Sequence, residues 1–352
     1  MRGKWKFSLV APALALVFIA SPTDLHAAPG DVVSVIPAPP SPFGLTWDGS
    51  TLWCGTYSGT IYQLDPATGD ILDQFPCPAS MVSGLGWESS SGEQSYLWSS
   101  DRDTDKIYRI DPTNGIAVDS FPSPESWPGG LAWTDTILWH SNYYSPPTIY
   151  GLDPLNALPL FSYGAPNVRP MGIAWDGNYL WNADYIAGMI YRLEPSTGTV
   201  LDSFPAPDDS PHDLAWDGTY LWVVIGGGEQ MIYQIEAYEA ALVIILDPDA
   251  TSIPPGGTLG FTATLINNTE ETQHVWAITE VTLPNGNPYP GNPLLGPRPI
   301  TIGALDTLDT HIEHDVPGNA PLGTYIYEAL VGVPPDSLLA QDSFEFEVTV
   351  VP

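Results

Sequence analysis

Side chains able to do chemistry are sparse in this sequence. Past residue 28 the cations are Arg102, Lys106, Arg109, Arg169, Arg192 and Arg298, and the histidines are His140, His212, His274, His311 and His314. Proton transfer needs a titratable group held within hydrogen-bond reach of its target, usually with a second group to orient it. His212 with Arg169, or with an Asp as electrostatic partner, is the best such pairing on offer. A second grouping is "DRDTDK" (101 to 106), which spaces Asp101, Asp103 and Asp105 at alternate positions, as the first half of a calcium loop does. It lacks the Gly at the sixth position and the distal Glu, and Arg102 and Lys106 oppose a cation. A solvated loop is therefore weighed against calcium, and no other cofactor is expected.

Other chemistries find less. Lys106 is the one lysine beyond the first six residues, so amine nucleophile chemistry would hang on a single loop residue. His311 and His314, three apart in a predicted strand, should face opposite ways, which defeats shared metal binding. Neither a Gly-x-Ser-x-Gly elbow nor a phosphate loop occurs.

Composition narrows the partners. There are 9 Lys plus Arg against 41 Asp plus Glu, a formal net charge of −32. Nucleic acid and anionic membrane surfaces are bound through Lys and Arg, so neither is expected as a partner. Arg2, Lys4 and Lys6, the apolar run from about Leu9 to Ala20, and the small residues Ala27 and Ala28 read as a cleaved signal peptide over 1–28. The mature chain is expected to be secreted or periplasmic, without a membrane span, and monomeric. Cys54 and Cys77 permit one disulfide in that compartment but do not demand it.

The elements that must position these residues are repeats. Five copies of one phrase recur: "GLTWDGSTLW" (44 to 53), "GLGWESSSGEQSYLW" (84 to 98), "GLAWTDTILW" (130 to 139), "GIAWDGNYLW" (172 to 181) and "DLAWDGTYLW" (213 to 222). Each is followed by an Ile-Tyr pair, at 61, 107, 149, 190 and 232. Within the fourth copy, strand signals cover Gly172 to Trp175, Tyr179 to Ala183, Met189 to Leu193 and Thr199 to Phe204, with Asp176-Gly177 and Glu194 to Gly198 as turns. Four short antiparallel strands in some 40 residues make the blade of a β-propeller. Ten tryptophans fill equivalent slots, which favours core packing over a site; a sugar binder with one site per blade would need those rings to face solvent.

Ring closure can also be read. The fourth-strand phrase "GTVLDSFPAP" (198 to 207) is missing after the fifth copy, while "GDVVSVIPAP" (30 to 39) stands before the first. Residues 31 to 36 are accordingly expected to supply the outer strand of the fifth blade. The expected fold is all-β: a five-bladed propeller over 29–238 closed by an N-terminal strand, then a β-sandwich over 239–352. The sandwich is read from alternation in "LGFTATLIN", "TYIYEALVGV" and "SFEFEVTVVP".

The wording "GIAWDGNYLWNAD…IYRLEPSTG" resembles secreted bacterial propellers of the YVTN and NHL type, and is similar to the propellers of glutaminyl cyclotransferases and virginiamycin B lyases. The later segment "APLGTYIYEALVG" resembles immunoglobulin-like or fibronectin-like modules. These resemblances imply fold; the shared residues are those of strands and turns.

Function in such a ring belongs to the loops at one end, entering the innermost strand and leaving the second. That logic gathers Asp101, His140, Asn142, Arg169, Asp184 and His212 as candidate ligand-binding residues around one mouth. The expected function is a non-catalytic binding or interaction protein taking a protein, peptide or glycan ligand, with the sandwich as spacer or docking module. The alternative is a propeller enzyme, a lyase, cyclotransferase or hydrolase, working through His212 and Arg169.

Overall fold

The computed structural model describes residues 28–350 except 90–93, 135, 145, 227–229 and 334–336. All of the expected signal peptide but Ala28 lies outside them. The chain divides between Glu239 and Ala240 into two compact units. Among the described residues no helix is long and apolar enough to cross a membrane.

The first unit is a ring of five four-stranded antiparallel sheets. A single strand, β1 (Val32–Pro37), precedes them. The first sheet is β2 (Pro42–Trp47), β3 (Leu52–Thr56), β4 (Thr60–Leu64) and β5 (Ile71–Pro76). The second is β6 (Val82–Glu88), β7 (Tyr96–Asp101), β8 (Lys106–Asp111) and β9 (Ile116–Pro122). The third is β10 (Pro128–Trp133), β11 (Leu138–Asn142), β12 (Thr148–Leu152) and β13 (Pro159–Gly164). The fourth is β14 (Pro170–Trp175), β15 (Leu180–Asp184), β16 (Met189–Leu193) and β17 (Val200–Pro205). The fifth combines β18 (Pro211–Trp216), β19 (Leu221–Ile225) and β20 (Met231–Ile235) with β1, which pairs antiparallel to β20. Each innermost strand touches the next, and β18 returns to β2.

Packing follows the alternation of the repeat. Trp181 lies across from Ala174 in the register of β14 and β15, so a large ring stands beside a methyl group. The second tryptophan of one sheet stacks on the first of the next, Trp53 on Trp87 at 6.0 Å and Trp98 on Trp133 at 6.2 Å. All five second tryptophans are buried. The condition for one sugar site per blade is thus not met at those positions.

On the axis the strands come too close for side chains. A Cβ built on Gly84 would lie 2.4 Å from the Gly129 carbonyl oxygen, and one on Gly172 2.6 Å from the Asp213 Cα. Asp213 takes the slot that Gly44, Gly84, Gly130 and Gly172 hold in the other copies, and its buried carboxylate accepts the N–H groups of Leu45, Leu85, Ile173 and Leu214 at 2.8, 3.1, 3.3 and 3.0 Å. Burial pushes this carboxyl well above its usual range, and the four N–H groups oppose that shift.

The second unit packs two sheets around one core containing Phe261, Tyr327 and Phe344. One sheet has β21 (Leu242–Pro248), β23 (Thr258–Asn267) and β26 (Thr307–Asp315). The other has β22 (Ser252–Ile253), β24 (Gln273–Thr282), β25 (Leu295–Ile302), β27 (Gly323–Val333) and β28 (Ser337–Val348). In β26, His314 meets the Tyr327 hydroxyl at 2.8 Å while His311 is exposed, so the two imidazoles have different surroundings.

Candidate functional site

One end of the ring holds a cavity of about 300 Å³ lined by Phe43, Tyr57, Arg102, Tyr143, Met171, Tyr185, His212 and Gly226. These residues come from two equivalent positions in the repeat. Tyr57, Arg102, Tyr143, Tyr185 and Gly226 each follow the last residue of a second strand; Phe43, Met171 and His212 each stand second in an innermost strand. Strand alternation then decides the facing. The residues one step earlier, Thr56, Asp101, Asn142, Asp184 and Ile225, are buried inside the sheets.

His212 is fixed by stacking. Its ring lies 4.1 Å from that of Phe43 at 20° and 5.4 Å from that of Tyr185 at 13°. Its Nδ1 stands 3.2 Å from the Pro42 carbonyl oxygen. A carbonyl only accepts, so Nδ1 carries the proton in that bond and Nε2 is left as an acceptor in the neutral ring. Burial pushes the imidazole down to about 4, with the Arg102 charge adding to the effect and the Pro42 bond opposing it. Gly226 makes room for it: a Cβ there would sit 1.7 Å from the His212 Cε1.

Among the described residues Arg102 is held by rings and by no carboxylate. Its guanidinium carbon is 4.3 Å from the Tyr143 centroid, 4.8 Å from that of Phe43 and 5.6 Å from that of Trp127. Nη2 lies 2.7 Å from the Met171 sulfur, and among the described residues the buried Nε has no hydrogen-bond partner. This group is lowered to about 10, chiefly by burial and with the neighbouring Arg169 charge contributing, while Tyr143, Tyr57 and Tyr185 oppose the shift. The Arg169 guanidinium stands 4.5 Å from the same Tyr143 ring and 5.0 Å from Tyr144. Trp127 adds a rim: it is 43% exposed, its φ of 63° is unusual for a bulky residue, and its N–H is anchored to Asp105 at 2.8 Å.

Of the residues expected at the mouth, His212 lines the cavity and Arg169 joins it through Tyr143. Asp184 spends its oxygens on the N–H groups of Arg169, Ile186 and Ala187 at 2.7 to 3.0 Å. Asp101 does likewise with Ser80, Met81 and Asp103 and accepts the Thr104 hydroxyl. Both carboxylates organise loops beneath the mouth. Asn142 donates to the Tyr144 carbonyl, and its Oδ1 is buried without a partner. His140 lies within the third sheet, between Ser123 and the Gly130 carbonyl, and burial pushes it down to about 4.

The three carboxylates of the calcium-like segment are taken up by donors: Asp101 accepts the Ser80 N–H and Asp103 the Ser80 hydroxyl, while Asp105 turns away to the Trp127 N–H. Among the described residues no group of three His, Cys, Asp or Glu side chains converges as metal ligands would. Cys54 and Cys77 are free thiols, Cys54 buried and Cys77 bonded to the Ser99 hydroxyl at 3.6 Å.

Solved structures similar to this chain are propellers. Glutaminyl cyclase from Myxococcus xanthus is 13% identical, with 61% of this chain and 98% of that one covered and a TM-score of 0.50. The chain carries a β-propeller. Virginiamycin B lyase from Staphylococcus aureus (22% identical, 55% and 66% covered, TM-score 0.38) and the PQQ-bound aldose sugar dehydrogenase from Streptomyces coelicolor (15%, 60% and 99%, 0.39) are also similar. At these identities the likeness is one of fold. No protein-family model and no curated protein matches. The propeller's mouth residues Tyr57, Arg102, Tyr143 and Tyr185 each stand one position beyond a second-strand end, and the repeat's strand signals stop at that end.

Proposed function

We propose that this is an exported, monomeric, non-catalytic binding protein whose mouth captures a small organic carboxylate. In this reading the first unit is a five-bladed propeller over 29–238 closed by its N-terminal strand. The second, 239–352, is an immunoglobulin-like sandwich serving as spacer or docking module.

The observation that carries the ligand class is a contrast among arginines. Arg109 pairs with Glu88, and Arg192 stands 3.9 Å from Asp202. Arg102 and Arg169 share one tyrosine ring, and among the described residues neither forms an ion pair. Two like charges held together, one of them largely buried, favour an incoming anion, and the surrounding rings favour a compact apolar body on it. The non-catalytic reading is supported by the state of the titratable groups. His212 is neutral with one nitrogen already bonded, and Asp101 and Asp184 are committed to loop N–H groups.

The test is calorimetric titration with benzoate against its neutral analogue benzamide. Benzoate should bind and benzamide should not. Arg102→Met should weaken benzoate by about tenfold or more, the worth of one charge-assisted contact. Gly226→Ala should do the same by displacing the His212 ring. Equal binding of both probes defeats the carboxylate reading, and a turnover abolished by His212→Ala would establish the enzyme alternative.

A further inference from the structure

The opposite end of the propeller carries a second feature, confined to one blade. In four repeats the second tryptophan's indole N–H donates to the acid that follows the first: Trp53 to Asp48 at 2.8 Å, Trp98 to Glu88 at 2.9 Å, Trp181 to Asp176 at 2.7 Å and Trp222 to Asp217 at 2.7 Å. The third repeat has Thr134 at that position. Its hydroxyl is occupied by Ile137, accepting the N–H and facing the carbonyl, both at 3.0 Å. Among the described residues the buried Nε1 atoms of Trp139 and Trp133 have no partner.

A second departure accompanies the first. The residue after the Ile-Tyr pair is Gln63, Arg109, Arg192 and Gln234 in four repeats and Gly151 in the third. The long polar side chains bond near the acid, Gln63 to Thr51, Arg109 to Glu88 and Gln234 to Asp217. Over Gly151 lies the ring of Phe161, which pairs with it across β12 and β13; a Cβ on the glycine would come 2.4 Å from that ring. Phe161 meets Trp139 edge-on at 5.3 Å and remains 38% exposed. The polar foot of the other blades is replaced here by an aromatic one.

The replacement opens a cleft of about 900 Å³ whose lining includes Trp133, Thr134, Trp139, Phe161, Trp175 and Ser196. None of the described residues that line it is charged, in a chain whose formal net charge is −32. Aromatic walls, hydroxyl rims and unpartnered indole donors suit a ligand that has apolar C–H faces, many acceptor oxygens and no charge. We propose that this cleft is a binding site for a neutral carbohydrate chain, whose ring and hydroxyl oxygens take the place that the acid fills in the other four blades. It is independent of the mouth.

The test uses the full exported chain and a set of neutral hexasaccharides, cellohexaose, maltohexaose and laminarihexaose, followed by tryptophan fluorescence and calorimetry. At least one should bind in the millimolar range or tighter. Thr134→Asp restores the acid of the other blades and should weaken that binding about tenfold or more. Phe161→Ala, at an exposed wall, should weaken it comparably and guards against a misfolded first variant. Benzoate binding at the mouth should survive both substitutions, so failure here and failure of the mouth reading are read separately. No binding of any hexasaccharide, or binding indifferent to both variants, overturns the proposal. So does preferential uptake of an apolar dye such as anilinonaphthalene sulfonate, which would mark the cleft as an apolar surface.

Discussion

The Asp213 carboxylate accepts the Leu45 N–H at 2.8 Å, across 168 positions of sequence. The same oxygen also takes the Leu85 N–H, and the other takes those of Ile173 and Leu214. One side chain thereby joins the inner strands of four blades where the other copies have only glycine. Removing it would leave long-range N–H groups buried and unpaired, each costing about 1–3 kcal/mol. Asp213→Ala is expected to lower stability by upwards of about 3 kcal/mol on that count. Asp213→Asn should recover only part, since its NH2 would face two donors. Urea midpoints compare the three proteins; an alanine variant as stable as the parent would refute the pinning role.

Two buried histidines set the acid response of the propeller. Burial pushes His140 and His212 each down to about 4. An unfolded histidine takes its proton near 6.5, so between these values the unfolded chain binds more protons than the folded one. Stability from this source is full above about 6.5 and is lost as pH falls towards 4, by up to about 3 kcal/mol for each ring. Asp213 works the other way, because its raised pKa favours the folded state at low pH. In His140→Gln the loss between pH 6.5 and 4 should shrink by about 3 kcal/mol relative to the parent. Denaturant titrations at three pH values measure it, and parallel slopes would show that His140 does not titrate on unfolding.

Much of this architecture is legible in the sequence because it is repeated. The phrase from Gly172 to Trp181 specifies a hairpin, and five copies specify five similar sheets. The fourth strand missing after Ile232-Tyr233 points to residues 31 to 36, and β1, one residue later at Val32–Pro37, pairs with β20. The mouth was legible to within one residue. Asp101, Asn142 and Asp184 end their strands with buried side chains, the two carboxylates committed to loop N–H groups, while Arg102, Tyr143 and Tyr185 line the cavity from the next position. Asp213 and Thr134 were visible as exceptions to the repeat, but what each exception does depends on atoms from other blades. Sequence spacing alone does not bring Leu85 or Phe161 into view.

The N-terminal strand completes the fifth sheet and should behave as the clasp of the ring. Ile36 is 2% exposed, in a cluster with Leu45, Trp222, Val224 and Ile232. Val35 and Pro37 pair with Tyr233 and Met231. Ile36→Ala removes that buried side chain and should cost about 2–5 kcal/mol. Deleting residues 28–37 removes the whole ladder and exposes β20 as an unpaired edge, which invites aggregation as well as unfolding. The truncated chain should therefore melt at a clearly lower temperature and sediment partly as larger species. A synthetic peptide of residues 28–38 added in trans should restore part of the melting temperature, because it supplies both the ladder and Ile36. A truncated chain that melts and sediments like the parent would mean that the three strands β18, β19 and β20 close the ring unaided.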